Sequence, residues 1–232
     1  MKLGSLATLL VVLGLAVSAQ GGMITYSFTD GTFAPGDWSE TTIGSGSQTV
    51  TQESSEGNPD EFREVVTDGQ ALVRTVHTNS AFWVDPSATP IVSIDFWIDY
   101  MNIDSRQAGQ SLHLGLVQDG TTYYRAAHTT TGDDEGTWFT HAVTGLTASD
   151  FALVPSTSGS TIPDFSKTGD PIVFGFSTGN SSGGGIRVGY DNYDADVHAS
   201  PEPASLAIWG WLGALGLAGG RGARRRRRRK VA

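Results

Sequence analysis

Asp95 and Asp99 stand four positions apart in the alternating run Pro90 to Tyr100, where Val92, Ile94, Phe96, Ile98 and Tyr100 face one way. Ser93, Asp95, Trp97 and Asp99 face the other. Successive side chains of a strand point to opposite faces, so the two carboxylates share one. A pair of carboxyl groups about 5 to 9.5 Å apart is the machinery of glycoside hydrolysis. The chain carries no Glu-x-Asp-x-x-Glu arrangement of the sort a sandwich hydrolase places on its concave face. With acidic residues so frequent, solvated surface carboxylates are the expectation. Trp97, between the two aspartates, is the aromatic best placed to stack on a sugar ring, an apolar platform flanked by polar groups. Trp38, Trp83, Trp138, Tyr123 and Tyr124 are further candidates. Core packing is the competing reading of Trp97.

Other chemistries find less support. His77, His113, His128, His141 and His198 show neither helical i, i+4 metal spacing nor a His-x-His pair, although His113 and His141 could be neighbours across a sheet. Gly44-Ser45-Gly46-Ser47 belongs to a loop and is not the strand-to-helix elbow of a serine hydrolase. No glycine loop is followed by a helix that would cradle phosphate. The absence of cysteine removes disulfides, thiolate catalysis and cysteine-based zinc sites together. Hard oxygen ligands for a structural calcium ion are offered by Asp133-Asp134-Glu135 in a glycine-flanked turn, or by Asp191, Asn192, Asp194 and Asp196. Neither set follows the order of a helix-loop-helix calcium loop. No other cofactor is indicated, and no catalytic residue is assigned.

Short alternating apolar runs position these residues. Besides Pro90 to Tyr100 they include Ile24-Tyr26-Phe28, Ala71 to Val76, Leu112-Leu114-Leu116, Tyr123 to Ala127, Trp138 to Val143, Ile172-Phe174-Phe176 and Ile186-Val188-Tyr190. Asp119-Gly120, Gly132 to Gly136, Gly179-Asn180 and Gly183 to Gly185 separate them as turns. The one helix-like stretch lies around Ser149 to Val154. Many short strands with spaced turns predict an all-β antiparallel sandwich of jelly-roll type. The polar, low-complexity segment 44–61 is expected as a long exposed loop.

The two ends differ from the middle. Lys2, the 15-residue apolar run Leu3 to Val17, and the small residues Ser18, Ala19 and Gly21 have the order of a signal peptide cut after Ala19. The run is shorter than the about 20 residues of a spanning helix. At the other end Pro201-Glu202-Pro203 precedes 17 uncharged residues, Ala204 to Gly220, then Arg221, Arg224, Arg225, Arg226, Arg227, Arg228, Arg229 and Lys230. This predicts a transmembrane helix at the short limit of a span, held in orientation by a basic cluster that stays on the cytoplasmic side.

That order closely resembles the PEP-CTERM sorting signal of exported bacterial proteins associated with exopolysaccharide. The resemblance covers Pro201 to Lys230. It implies Sec export, transient anchoring in the inner membrane, and processing by an exosortase, a membrane-embedded cysteine transpeptidase-like enzyme, at Pro201, Glu202 and Pro203. These three residues would be a substrate motif. The closing string Gly189-Tyr190-Asp191-Asn192-Tyr193 and the opening Phe28 to Phe33 with Asp37-Trp38 resemble the jelly-roll domains of concanavalin-like or carbohydrate-binding modules.

The expected layout is a signal peptide over 1–19, a sandwich ectodomain over 20–200 and a sorting signal over 201–232. Trimming changes the charge. The ectodomain keeps six of the 15 Lys and Arg and 23 of the 24 Asp and Glu, a balance of 6 − 23 = −17 against −9 for the whole chain. So acidic a domain repels nucleic acid. The expectation is a non-enzymatic protein of the cell surface or extracellular matrix, associated with exopolysaccharide. The alternatives are a carbohydrate-binding module and a glycan-active hydrolase.

Overall fold

A computed structural model of the chain describes residues 22–68, 73–105, 110–129, 135–154, 159–180 and 185–200. The expected signal peptide over 1–19, the Pro201-Glu202-Pro203 motif, the expected transmembrane helix over 204–220 and the arginine cluster lie outside the described residues. Among the described residues no helix is long and apolar enough to cross a membrane. Met23–Ser200 forms a compact unit of its own.

Among the described residues it has twelve strands: β1 (Ile24–Asp30), β2 (Trp38–Gly44), β3 (Ser47–Gly57), β4 (Asp60–Asp68), β5 (Val73–Val84), β6 (Ile91–Ser105), β7 (Ser111–Gln118), β8 (Thr121–Thr129), β9 (Trp138–Leu146), β10 (Ala152–Leu153), β11 (Ile172–Asn180) and β12 (Ile186–Ala199). All strand pairings are antiparallel. One sheet runs β3-β4-β12-β6-β9, with β1 also on β12; the other runs β10-β8-β7-β11-β5-β2. The expected all-β sandwich is therefore present, and the helix-like stretch is a single 3-10 turn, Ala148–Asp150.

Alternation decides what is buried. Ile94, Phe96 and Ile98 of β6, Leu112, Leu114 and Leu116 of β7, and Ile172, Phe174 and Phe176 of β11 are fully buried between the sheets. Burying each such side chain contributes about 1.5–3 kcal/mol. An aromatic cluster closes one side: Trp38 packs on Phe33, Phe82, Phe176 and Tyr193 with ring centroids 5.0 to 5.8 Å apart. Asp30 fixes that corner. Its carboxylate accepts bonds from Trp38 Nε1 (2.7 Å) and the backbone N–H groups of Thr32 and Phe33 (2.8 and 2.9 Å). The motif Phe28 to Trp38 is thus a carboxylate-pinned turn that seats a tryptophan.

The segment expected as a loop is an edge hairpin instead. β3 pairs with β4 from Ser47↔Asp68 to Gly57↔Asp60, around the cis peptide Asn58-Pro59. As an edge strand it has one hydrogen-bonded neighbour and exposed or half-buried side chains throughout, so a polar sequence suffices to form it.

β12 is one 14-residue strand that changes partner. Its first half pairs with β4 (Ile186–Tyr190) and its second with β1 (Tyr193–Ala199), while β6 follows it on the other side with a bulge between Asp191 and Asp194. The hairpin tip fills the gap at the changeover. Asp191 accepts the N–H of Asn58 (2.5 Å), and Asp99 accepts the side-chain amides of Asn58 (3.0 Å) and Asn192 (2.8 Å) and the Thr140 hydroxyl (2.5 Å). Burial, set against the bonds from Asn58 and Asn192 and joined by the charges of Asp99 and Asp30, raises the Asp191 carboxyl above its usual range.

Candidate functional site

The outward face of the β8-β7-β11-β5 sheet is built in rows set by register. In the first row Trp83 of β5 stands beside Val173 of β11, and Val173 beside Val117 of β7. Trp83 is 52% exposed. A register shift in β11 follows, and the second row is Thr78, Gly175, Gly115 and Tyr124. The two central glycines leave this row without side chains at its middle. A Cβ on Gly175 would lie 1.9 Å from the His77 carbonyl oxygen, so the bulge requires glycine there. The third row is Val76, Ser177 and His113, and the fourth is Arg74, Gly179 and Ser111.

Arg74 does not stay in its row. Its guanidinium carbon stands 4.0 Å from the centroid of the Tyr124 ring, and the open position above Gly179 makes room for its side chain to cross. The edge of His113 meets the same tyrosine at 5.0 Å between centroids. His113 is 4% exposed and Ser177 is fully buried.

Arg74 Nη1 and Ser177 Oγ are buried on this face without a hydrogen-bond partner, and the buried His113 ring has no side-chain partner, only a backbone contact with Arg125. A buried polar group left unpaired costs about 1–3 kcal/mol, and native proteins keep few of them. Burial, then the Arg74 charge, brings the His113 imidazole down to about 3, against a backbone hydrogen bond with Arg125 that raises it. His113 is therefore neutral in ordinary conditions and offers one donor and one acceptor. Together these groups can bind a hydroxyl-rich ligand beside an aromatic platform.

The residues singled out in the sequence are distributed differently. Trp97 is half-buried on the outward face of the other sheet, opposite Asp194 of β12 and Ala142 of β9. Asp95 and Asp99 share that face as expected, and both are occupied. Asp95 accepts the Gly145 N–H at 2.6 Å and meets His198 Nε2 at 3.1 Å, while Asp99 belongs to the hairpin network. His113 and His141 lie on different sheets, β7 and β9, so they are not neighbours across one sheet. His77 is fully buried between the sheets, stacked on Phe176 at 4.5 Å.

For the calcium expectation, Asp133 and Asp134 lie outside the described residues, and Glu135 is an exposed bridge partner of Asn102. Asp191 is turned into the hairpin network and Asp194 and Asp196 lie on the outer face of β12. Among the described residues no three His, Asp or Glu side chains converge as a metal set.

Arg74 and Ser177 were not singled out in the sequence, and Tyr124 was one aromatic among six. The available signal was position. Ser177 and His113 alternate with core residues of β11 and β7, where outward side chains are expected.

A concavity lies at the β7–β8 turn, lined by residues that include Gln118, Tyr123, Asp119, Asp164 and Asp170. Gln118 is spent on structure there: its amide donates to the carbonyls of Asp164 and Asp170 and accepts the Asp164 N–H.

No protein-family model matches the sequence, and no curated protein matches it. Among solved structures the chain is similar to a family 11 carbohydrate-binding module from Clostridium thermocellum in complex with a β-1,3-1,4-mixed-linked tetrasaccharide. Identity is 12%, the TM-score 0.48, and the match covers 74% of this chain and 94% of that one. A xylan-binding domain of carbohydrate-binding module family 22 gives 14%, 0.43, 75% and 94%. A Shewanella oneidensis protein of unknown function gives 13%, 0.43, 88% and 97%. These likenesses concern the course of the strands, and no residue is carried over from them.

Proposed function

We propose that this chain is a non-enzymatic polysaccharide-binding protein whose sandwich takes its ligand on the outward face of the β8-β7-β11-β5 sheet. One observation carries the reading: Arg74 Nη1 and Ser177 Oγ are buried without partners beside the buried His113 ring, on a face that ends in the exposed Trp83. Sugar hydroxyls supply both donors and acceptors, and an indole ring supplies the flat apolar surface on which a sugar ring stacks. A hydrolase reading is weaker, since the only carboxylate pair proposed for it is engaged in structural bonds on the opposite sheet.

The ends of the chain support an address for this activity. The signal-peptide order at 1–19 and the PEP-CTERM resemblance over Pro201 to Lys230 fit export by Sec, transient membrane anchoring, exosortase processing, and retention at the cell surface or in an exopolysaccharide matrix. The −17 balance of the intervening domain keeps it apart from nucleic acid.

The test is a glycan array probed with Met23–Ser200, alone and carrying Trp83→Ala, His113→Phe or Trp97→Ala. Saturable binding that the first two substitutions weaken and the third leaves intact is expected. A flat array overturns the reading, and loss of binding only in Trp97→Ala moves the site to the other sheet.

A further inference from the structure

Charge is divided unequally between the two outer faces. The outward face of the β3-β4-β12-β6-β9 sheet carries Glu53, Glu64, Asp95, Asp99, Asp194 and Asp196. Among the described side chains, the outward face of the β8-β7-β11-β5 sheet carries no carboxylate. Twenty-three acidic residues in the ectodomain against six basic ones make that gap unlike the rest of the molecule. One of the six, Arg74, stands in it.

An arginine in an acidic domain ordinarily finds a carboxylate. Arg187 does so with Glu64, at 2.6 and 3.1 Å. Arg63 does so with Glu40 across the sandwich. Arg74 has an aromatic face for a neighbour and one buried nitrogen with no partner. Its guanidinium presents five N–H donors in a fixed planar fork. The uncharged His113 and Ser177 add neutral donors and acceptors beside it. A planar cation with nothing opposite it, on a face cleared of acids, is complementary to a planar anion presented by a ligand.

We infer that the ligand is an acidic polysaccharide, a uronic-acid polymer whose sugar carboxylate pairs with Arg74 while neighbouring hydroxyls bond His113 and Ser177 and a further ring lies on Trp83. The inference rests on the polysaccharide-binding reading above and narrows it to one chemical class. The pairing exchanges an unpaired buried donor for a charge-assisted bond, which is roughly twice as strong as a neutral one. The remaining negative charge of the domain does not prevent this. Glu53, Glu64, Asp95, Asp99, Asp194 and Asp196 lie on the opposite sheet, and at physiological ionic strength exposed charges are screened beyond about 8 Å. From the row of Trp83 to the row of Arg74 the sheet advances six residues along β11, a span of roughly 20 Å at the strand rise, room for several sugar rings.

The experiment compares three polymers by titration calorimetry on Met23–Ser200: a polyuronate, the same polymer with its carboxyl groups reduced to alcohols, and a sulfated polysaccharide. The polyuronate is expected to bind at least tenfold more tightly than its reduced form. Arg74→Gln is expected to remove that preference, so that the variant binds the polyuronate no more tightly than its reduced form, with an unchanged melting profile showing that the fold is intact. Equal affinity for polyuronate and reduced polymer overturns the inference and leaves polysaccharide binding standing. Sulfated polymer bound as tightly as polyuronate also overturns it, since any anion would then suffice. Absence of binding to all three, with a glycan array that is also flat, overturns both readings.

Discussion

Arg74 and Tyr124 meet across four strands of one sheet, guanidinium carbon to ring centroid 4.0 Å, with β11 and β7 passing between their own strands. The contact lays a charged side chain over the two buried residues, Ser177 and His113, that have polar atoms to offer. It also fixes the aromatic ring that His113 meets edge-on. Tyr124→Ala is therefore expected to free Arg74 and lower glycan affinity by roughly tenfold, the size of a cation–π contact plus lost stacking. Calorimetry on the variant checks this, and an unchanged affinity would show that the stack is incidental.

Trp83 is half in solvent and outside the inter-sheet core. Trp83→Ala should leave the melting temperature within about 2 °C, as surface substitutions generally do, and yet weaken polysaccharide binding by roughly tenfold. A large loss of stability would reassign Trp83 to packing.

Acid should weaken the fold through two histidines. Burial, and then the charge of Arg63, holds His77 well below the usual imidazole range, and His113 is brought down to about 3 by burial and Arg74. Both groups are neutral when folded and take up a proton on unfolding once pH falls below about 6.5. Their contribution to stability is complete above that pH and is lost as pH falls, by about 1.4 kcal/mol per unit for each. Asp191 and Asp194, raised first by burial, act in the opposite sense nearer the carboxylate range. Urea denaturation at pH 7 and pH 5 should show a clear loss, and His113→Gln should lose less. An identical slope in the variant would contradict the buried, neutral assignment.

The hairpin network gives a stability prediction of its own. Asp99→Ala removes the acceptor of the Asn58 and Asn192 amides and the Thr140 hydroxyl. A loss of about 2–3 kcal/mol is expected for donors orphaned in a mostly buried site. Asp95→Ala, at a more exposed position, should lose less. Denaturant midpoints separate the two. Neither variant should change polysaccharide affinity, because both carboxylates lie on the sheet opposite the proposed binding face.

Much of the fold was readable from alternation. The spacing of Ile94, Phe96 and Ile98, and of Leu112, Leu114 and Leu116, places each in the core where the structure has it. The edge hairpin was not, because β3 has one strand neighbour and little buried area, and so needs no apolar pattern. The binding face was less readable still. It depends on the order β8-β7-β11-β5, in which β11 is inserted between β7 and β5 and Arg74 is brought to Tyr124, fifty residues on. Local pattern marks Ser177 and His113 as outward-facing. It cannot say that their strands lie side by side. Trp97 drew attention because its own strand alternates so clearly, yet that strand belongs to the acid-rich sheet.

The location of the site is tested most directly by following the backbone and indole resonances of Met23–Ser200 as a polyuronate is titrated in. The account predicts saturable shifts at Trp83, His113, Tyr124 and Ser177, with Trp97, Asp95 and Asp194 unmoved. Shifts confined to Trp97 and its neighbours on the other sheet would contradict it.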